Sequence, residues 1–210
     1  MKKVLMLSVV VVLITLLSGC MRTLHPLFTE KDLEFDGRLV GSWHTDPDDN
    51  EYIQFEQGSA ASFSKLPESL QRLAGKAYLL RMFDGSGEAS YVFYAFLCRI
   101  GGQLYLDYYP AENKHQQYYD KFYLAHEVKM HSFFHVQFTS DGGMKLDEFS
   151  QDFLDELIKK NKIRIQHEVR FDGTYVITAP TEELQQYVLK YSDVPEAYSN
   201  ENSDTYYKIK

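Results

Sequence analysis

The chain has 210 residues, 44% of them hydrophobic, with 22 Lys and Arg against 30 Asp and Glu, a net charge of −8, and 2 Cys. This composition excludes a wholly disordered chain, a disulfide-stapled mini-protein and a nucleic-acid binder, which needs a basic stripe. One ordinary domain or two small ones remain. At the N-terminus, Lys2 and Lys3 precede an apolar run from Val4 to Leu17, broken only by Ser8 and Thr15. The run is shorter than the about 20 residues that span a bilayer, and it fits the hydrophobic region of a signal peptide.

The run ends in Leu17-Ser18-Gly19-Cys20. An apolar residue, two small residues and a Cys resemble the lipobox of bacterial lipoproteins. The resemblance covers residues 1–20 and implies cleavage after Gly19 and a diacylglycerol thioether on Cys20. Cleavage would remove Lys2 and Lys3 and leave the mature chain more acidic still. Two or three acyl chains, at about 0.8 kcal/mol per buried methylene, would hold it firmly to a membrane. Met21, where an Asp would otherwise follow the Cys, resembles the pattern sent to the outer membrane in bacteria that have two. The expected organisation is a signal peptide over 1–19, a lipidated N-terminus and tether over 20–36, and one β-rich domain over 37–210. With Cys20 consumed by lipid, Cys98 has no disulfide partner; it lies in an apolar strand pattern and reads as a buried, inert thiol. Within the tether, Leu27, Phe28, Leu33 and Phe35 are large apolar residues, part of which should pack on the body.

Aromatic residues are abundant, with 16 Tyr, 14 Phe and 1 Trp, and Tyr and Phe suit a pleated, half-buried surface. Strands are expected at 39–45, 50–56, 77–84, 90–100, 103–109, 120–130, 132–139, 143–147, 163–170, 173–178 and 205–209. Gly101-Gly102 and Asp172-Gly173 are the sharpest hairpin signals between them. Close spacing points to antiparallel meanders. Helices are expected over 67–74, over 151–161 with Ser150 as N-cap, and over 182–191 beginning at Thr181. Leu154, Leu157, Leu184, Tyr187 and Val188 form their apolar faces. Ser192 to Asp204, rich in Ser, Asn, Asp and Glu, reads as a solvated loop.

Gly41-Ser42-Trp43 sits in the first long strand. This G-x-W, together with the many antiparallel strands, resembles the lipocalin or calycin pattern. The resemblance implies that Gly41 lets the chain pass close to a barrel floor, that Trp43 plugs it, and that a basic residue near the last strand stacks on the Trp. Lys208 and Lys210 are the local candidates, where the family favours Arg. The fold expectation is therefore a mainly β chain, an antiparallel barrel with two or three accessory helices. An α+β open antiparallel sheet with helices on one face is the alternative. The order of segments from His25-Pro26-Leu27-Phe28 to Thr181-Glu182-Glu183-Leu184 also resembles a group of bacterial lipoproteins, a likeness that implies no activity.

Chemistry-bearing residues are sparse. His126, His131 and His135 lie close in sequence, and His131 and His135 should share the polar face of a strand, pointing to solvent or a pocket mouth. Convergence of these with His167 would be needed for a metal site. Asp46-Pro47-Asp48-Asp49-Asn50-Glu51 imitates the start of a calcium loop, but Glu51 replaces the turn glycine and Gln57 the bidentate Glu, so a solvated turn is expected. Asp107, among tyrosines, reads as a sheet-surface carboxylate. No nucleophile elbow, phosphate loop or dinucleotide fingerprint occurs, and no catalytic residue, metal site or cofactor is assigned. Tyr105, Tyr108, Tyr109, Tyr118, Tyr119 and Tyr123 cluster around one strand pair and could form a surface or ligand site. The expected function is a membrane-anchored envelope lipoprotein, non-enzymatic, binding an apolar or amphipathic small molecule. Alternatives are an envelope protein that docks another protein through a filled β body, and an envelope hydrolase or metal enzyme.

Overall fold

The computed structural model describes residues 21–48, 50–111, 126–171 and 173–209. Among them, eight strands close an antiparallel barrel: β2 (Gly41–His44), β3 (Glu51–Gln57), β4 (Ala77–Asp84), β5 (Ala89–Ile100), β6 (Gln103–Pro110), β7 (Ser132–Phe138), β8 (Met144–Phe149) and β11 (Tyr198–Lys208). The order around the wall is β11-β2-β3-β4-β5-β6-β7-β8, and β11 pairs with both β2 and β8. A second sheet is made of β1 (Arg22–Thr23), β10 (Tyr175–Ile177) and β9 (His167–Val169), with β1 parallel to β10. The α-helices of the described residues are α1 (Glu68–Gln71), α2 (Gln151–Lys159) and α3 (Thr181–Tyr191).

Local chemistry accounts for the closure. Gly101 and Gly102 both take positive φ, 59° and 87°, which the two-residue turn between β5 and β6 requires. Alternation then divides the wall. Ile53, Phe55, Tyr78, Leu80, Ala95, Leu97, Leu106, Val136, Met144 and Leu146 form the core inside the barrel. The opposite faces of β5, β6 and β7 bury Tyr94, Phe96, Cys98, Tyr105 and Phe133 in a second core, shared with α2, α3 and the segment after Met21. Residues 94–98 of β5 and 105–108 of β6 are therefore covered on both sides, which is why 94–98 reads as an apolar run without polar alternation.

The N-terminal strap, residues 21–36, is part of this second core. Met21, Leu27, Phe28 and Leu33 are buried, Phe28 stacks on Phe96 at 4.6 Å between ring centroids, and the Glu34 amide donates to the Leu97 carbonyl at 2.9 Å. Helix α3 holds it from the other side. The Thr181 hydroxyl donates to the Pro26 carbonyl at 2.8 Å, and the Gln185 amide donates to the Leu27 carbonyl at 2.9 Å.

Several expectations are corrected. Residues 192–204 are not simply a loop: β11 begins at Tyr198, because Ser203 and Asp204 pair with Asp147 and Leu146 despite their polarity. The strand expected at 163–170 shrinks to three residues and that at 173–178 to three, both outside the barrel. The first helix is one short α-turn followed by a 3-10 turn at Ala74–Lys76. Residues 126–130 form no strand, and 120–125 lie outside the described residues. Helix α3 starts at Thr181 itself, whose hydroxyl is taken by Pro26 and does not cap. Ser150 does cap α2, accepting from the Phe153 amide at 3.2 Å.

Candidate functional site

One end of the barrel is shut. The strap enters there, and Leu39 and Trp43, 2% exposed, lie on the inner core. The Trp43 indole donates to the Leu39 carbonyl at 2.8 Å. The Lys208 ammonium sits 5.2 Å from the centroid of the Trp43 ring, so a Lys fills the stacking role expected there of a basic residue. Gly41 has φ of 128°, a conformation that suits glycine, and an added Cβ would lie 3.5 Å from the Lys208 stem. Arg38 covers Phe138 of the same end, with its guanidinium carbon 4.0 Å from the ring centroid.

The opposite end, where the β2–β3 and β4–β5 connections turn, holds a pocket of about 380 Å³. Its floor is the inner face of the wall: Ile53, Met82 and Tyr206, which pack on the barrel core. Its rim carries Glu51, Asp84 and Asp204, together with Tyr91. Tyr52 and Phe83 stack on the lip at 4.3 Å. Hydrogen bonds from the Ser90 and Ser86 side chains hold the Asp84 carboxyl down at about 2, and burial pushes the Tyr206 hydroxyl up to about 12. At neutral pH Asp84 is thus a carboxylate on the rim, and the floor is apolar with a neutral Tyr206 phenol. The volume lies within the range of small-molecule sites. Such a site can hold a small amphiphile end-on, but beyond the pocket the barrel is filled by Trp43, Phe55, Tyr78 and Leu80.

The tyrosines expected to form one site are divided by alternation. Tyr105 faces outward into the second core and Tyr108 inward, both buried, while Tyr109 is half-buried against His131 at 4.7 Å. Tyr118, Tyr119 and Tyr123 lie outside the described residues, as do Leu17, Ser18, Gly19 and Cys20.

His131 and His135 do not reach solvent. Both are 6% exposed, because the outer face that would have been wet is covered by the strap and α3. Asp107, expected on the sheet surface, is fully buried: one carboxylate oxygen meets His131 Nδ1 at 2.6 Å and the other accepts the Leu27 amide at 2.7 Å. This pair joins barrel wall to strap. Burial lowers the pKa of His135, against the pull of Asp147, whose carboxylate is 4.0 Å away. His126 is exposed, and His167 Nδ1 donates to the Ile165 carbonyl at 2.7 Å. Among the described residues no group of three His, Cys, Asp or Glu could hold a metal ion. The Cys98 thiol is buried, and desolvation pushes its pKa well up, which makes it inert. At the calcium-like loop, the Asp48 amide donates to Asp46 at 2.9 Å, as in an ordinary Asx turn.

The mouth pocket was missed from sequence because its residues are single inward positions at the ends of four strands. The usable signal was parity: Glu51 follows Ile53 inward, Asp84 follows Met82, and Asp204 follows Tyr206. No family profile, curated protein sequence or solved structure matches the chain. The fold itself is a closed eight-stranded antiparallel barrel, compatible with a lipocalin-like architecture.

Proposed function

We propose that this chain is a bacterial envelope lipoprotein, anchored through Cys20, whose barrel mouth binds an amphipathic small molecule. The observation that carries the reading is the pocket with an apolar floor of Ile53, Met82 and Tyr206 under a rim of Glu51, Asp84 and Asp204. The apolar part of the ligand lies on the floor and its head group at the rim. Three carboxylates repel an anionic head, so the preferred head is neutral or cationic. The filled interior favours a short apolar tail over a long one. The lipobox at Leu17-Ser18-Gly19-Cys20 supports the anchor, and the G-x-W floor supports a lipocalin-like use of the barrel with the ligand held nearer the mouth.

Calorimetric titration of the Cys20→Ser chain with hexyltrimethylammonium and with hexanoate tests this. The cationic probe binds at one site and the anionic probe binds far more weakly. Met82→Trp, which fills the floor, abolishes binding while leaving the melting temperature within a few degrees. Equal binding of both probes, or binding unaffected by Met82→Trp, contradicts the reading.

A further inference from the structure

The largest exposure of a large apolar residue among the described residues is at the turn between β9 and β10. Phe171 is 97% exposed and Val169 is 61% exposed. Neither packs on the second core, although the sheet behind them does, through Ile177 and Tyr175. The turn is well formed: the Arg170 amide donates to the Thr174 carbonyl at 2.8 Å, and the Gly173 amide to the Arg170 carbonyl at 2.9 Å. The Arg170 guanidinium lies 5.9 Å from the Phe171 ring centroid. Phe171 and Val169 thus give a well-formed hairpin an apolar tip, where turns usually carry small polar residues.

The path of the chain says what covers it. Strand β1 runs parallel to β10, with Arg22 opposite Val176 and Thr23 opposite Ile177. The N-terminal end of β1 therefore lies at the same end of the sheet as the N-terminal end of β10, where the Phe171 turn sits. Met21, one residue before β1, is buried in the second core, and the next residue in sequence is Cys20. One residue spans at most about 3.8 Å. A lipid on Cys20 thus joins the folded body with almost no slack, at the hairpin end of the sheet.

We propose that the β9–β10 turn is a second membrane contact, in which Phe171 inserts into the interfacial layer of the bilayer that holds the Cys20 lipid. This rests on the anchor proposed above. Phe side chains on interfacial segments bury into the boundary between headgroups and acyl chains, and an arginine beside the ring extends its head to lipid phosphates. Arg22 lies at the same end of the sheet. The chain as a whole is acidic and Asp172 follows Phe171 in the sequence, so apolar insertion and the short link carry the contact, with no help from the net charge. The consequence is a fixed orientation of the body on the membrane in place of free rotation on a tether.

Phe171→Trp reports on this in the full, lipobox-processed chain. Trp43 is the only native Trp and is buried in the barrel, so the wild-type chain supplies the background. The protein is reconstituted into phosphatidylethanolamine–phosphatidylglycerol vesicles, with and without bromine on the acyl chains. The mass of the N-terminal peptide is read from the same sample. The expected result is a diacylglyceryl group on Cys20, a blue shift of the emission added by Phe171→Trp, and loss of most of that emission to brominated lipid, with Trp43 unaffected. A lipidated Cys20 with unquenched added emission leaves the anchor standing and overturns the insertion, as it would if the turn docks a protein. An unmodified Cys20 overturns the anchor, and the insertion falls with it.

Discussion

The two sides of the barrel wall differ in what lies outside them. On β3 the outward residues Gln54 and Glu56 meet water, and Glu56 pairs with Arg81 of β4, whose earlier outward residues Ala77 and Leu79 already join the second core. On β5 and β6 the outward residues Phe96, Cys98, Tyr105 and Asp107 lie beneath the strap and the helices. The same antiparallel geometry thus gives one side a single core and the other two. The difference is that a covered wall makes every outward residue a packing position, including polar ones that must then be paired.

The largest expected effect separates the sides directly. Phe96→Ala should cost about 4 kcal/mol of stability, because a fully buried ring leaves a cavity. Glu56→Ala, outward on the open side in an exposed ion pair, should cost under about 1 kcal/mol. Urea unfolding of both variants measures the contrast. Similar losses would mean that the two outer faces are not different.

Next in size is Asp107→Ala. Its removal strands the Leu27 amide and His131 Nδ1 inside the second core, at about 3 kcal/mol. The loss should appear by hydrogen exchange as early opening of the strap, ahead of the rest of the barrel. Loss of protection across the whole barrel at once would show that strap and wall do not open separately.

A smaller effect depends on pH. Burial lowers the His135 pKa from its ordinary value of 6.5. The unfolded chain therefore takes up the proton first as pH falls. The stability from keeping His135 neutral is whole above about pH 7 and declines as pH drops through the unfolded value toward the folded one. His135→Gln should flatten the stability profile below about pH 7, and an unchanged slope would assign that slope to other groups. Smallest is Lys208→Ala, which removes the ammonium over Trp43 at a cost of about 0.5–1 kcal/mol, readable as a small drop in melting temperature with a change in Trp43 emission.

Much of the fold was legible in the sequence. Alternation in β3, glycine pairs at hairpins and cap chemistry at Ser150 placed most barrel strands and α2 within a residue or two. Gly41 and Trp43 pointed to the closed end, and Lys208 was one of the two candidates, with Lys210, for the base that stacks there. The cover was not legible. His131, His135 and Asp107 look like outward polar residues, and local sequence does not say that a strap from residues far away in the chain will lie across them. The apolar run from Tyr91 to Cys98 carried that information, since a strand wet on one side would alternate there. Composition also misled at β11, where Ser203 and Asp204 are held by pairing with β8 and not by hydrophobicity. The mouth pocket was invisible for a related reason: it gathers strand ends that are far apart in sequence.

The covered wall is tested most directly through Cys98, which sits outward on β5, fully buried, with Leu33 of the strap bridged to it. In the Cys20→Ser chain it is the only thiol. Reaction with an aromatic disulfide reagent is followed at increasing urea. The account predicts no labelling of the native protein, and a labelling rate that rises only when the strap opens or the domain unfolds. Rapid stoichiometric labelling in the absence of urea would contradict it, because Cys98 would then lie on an open outer wall.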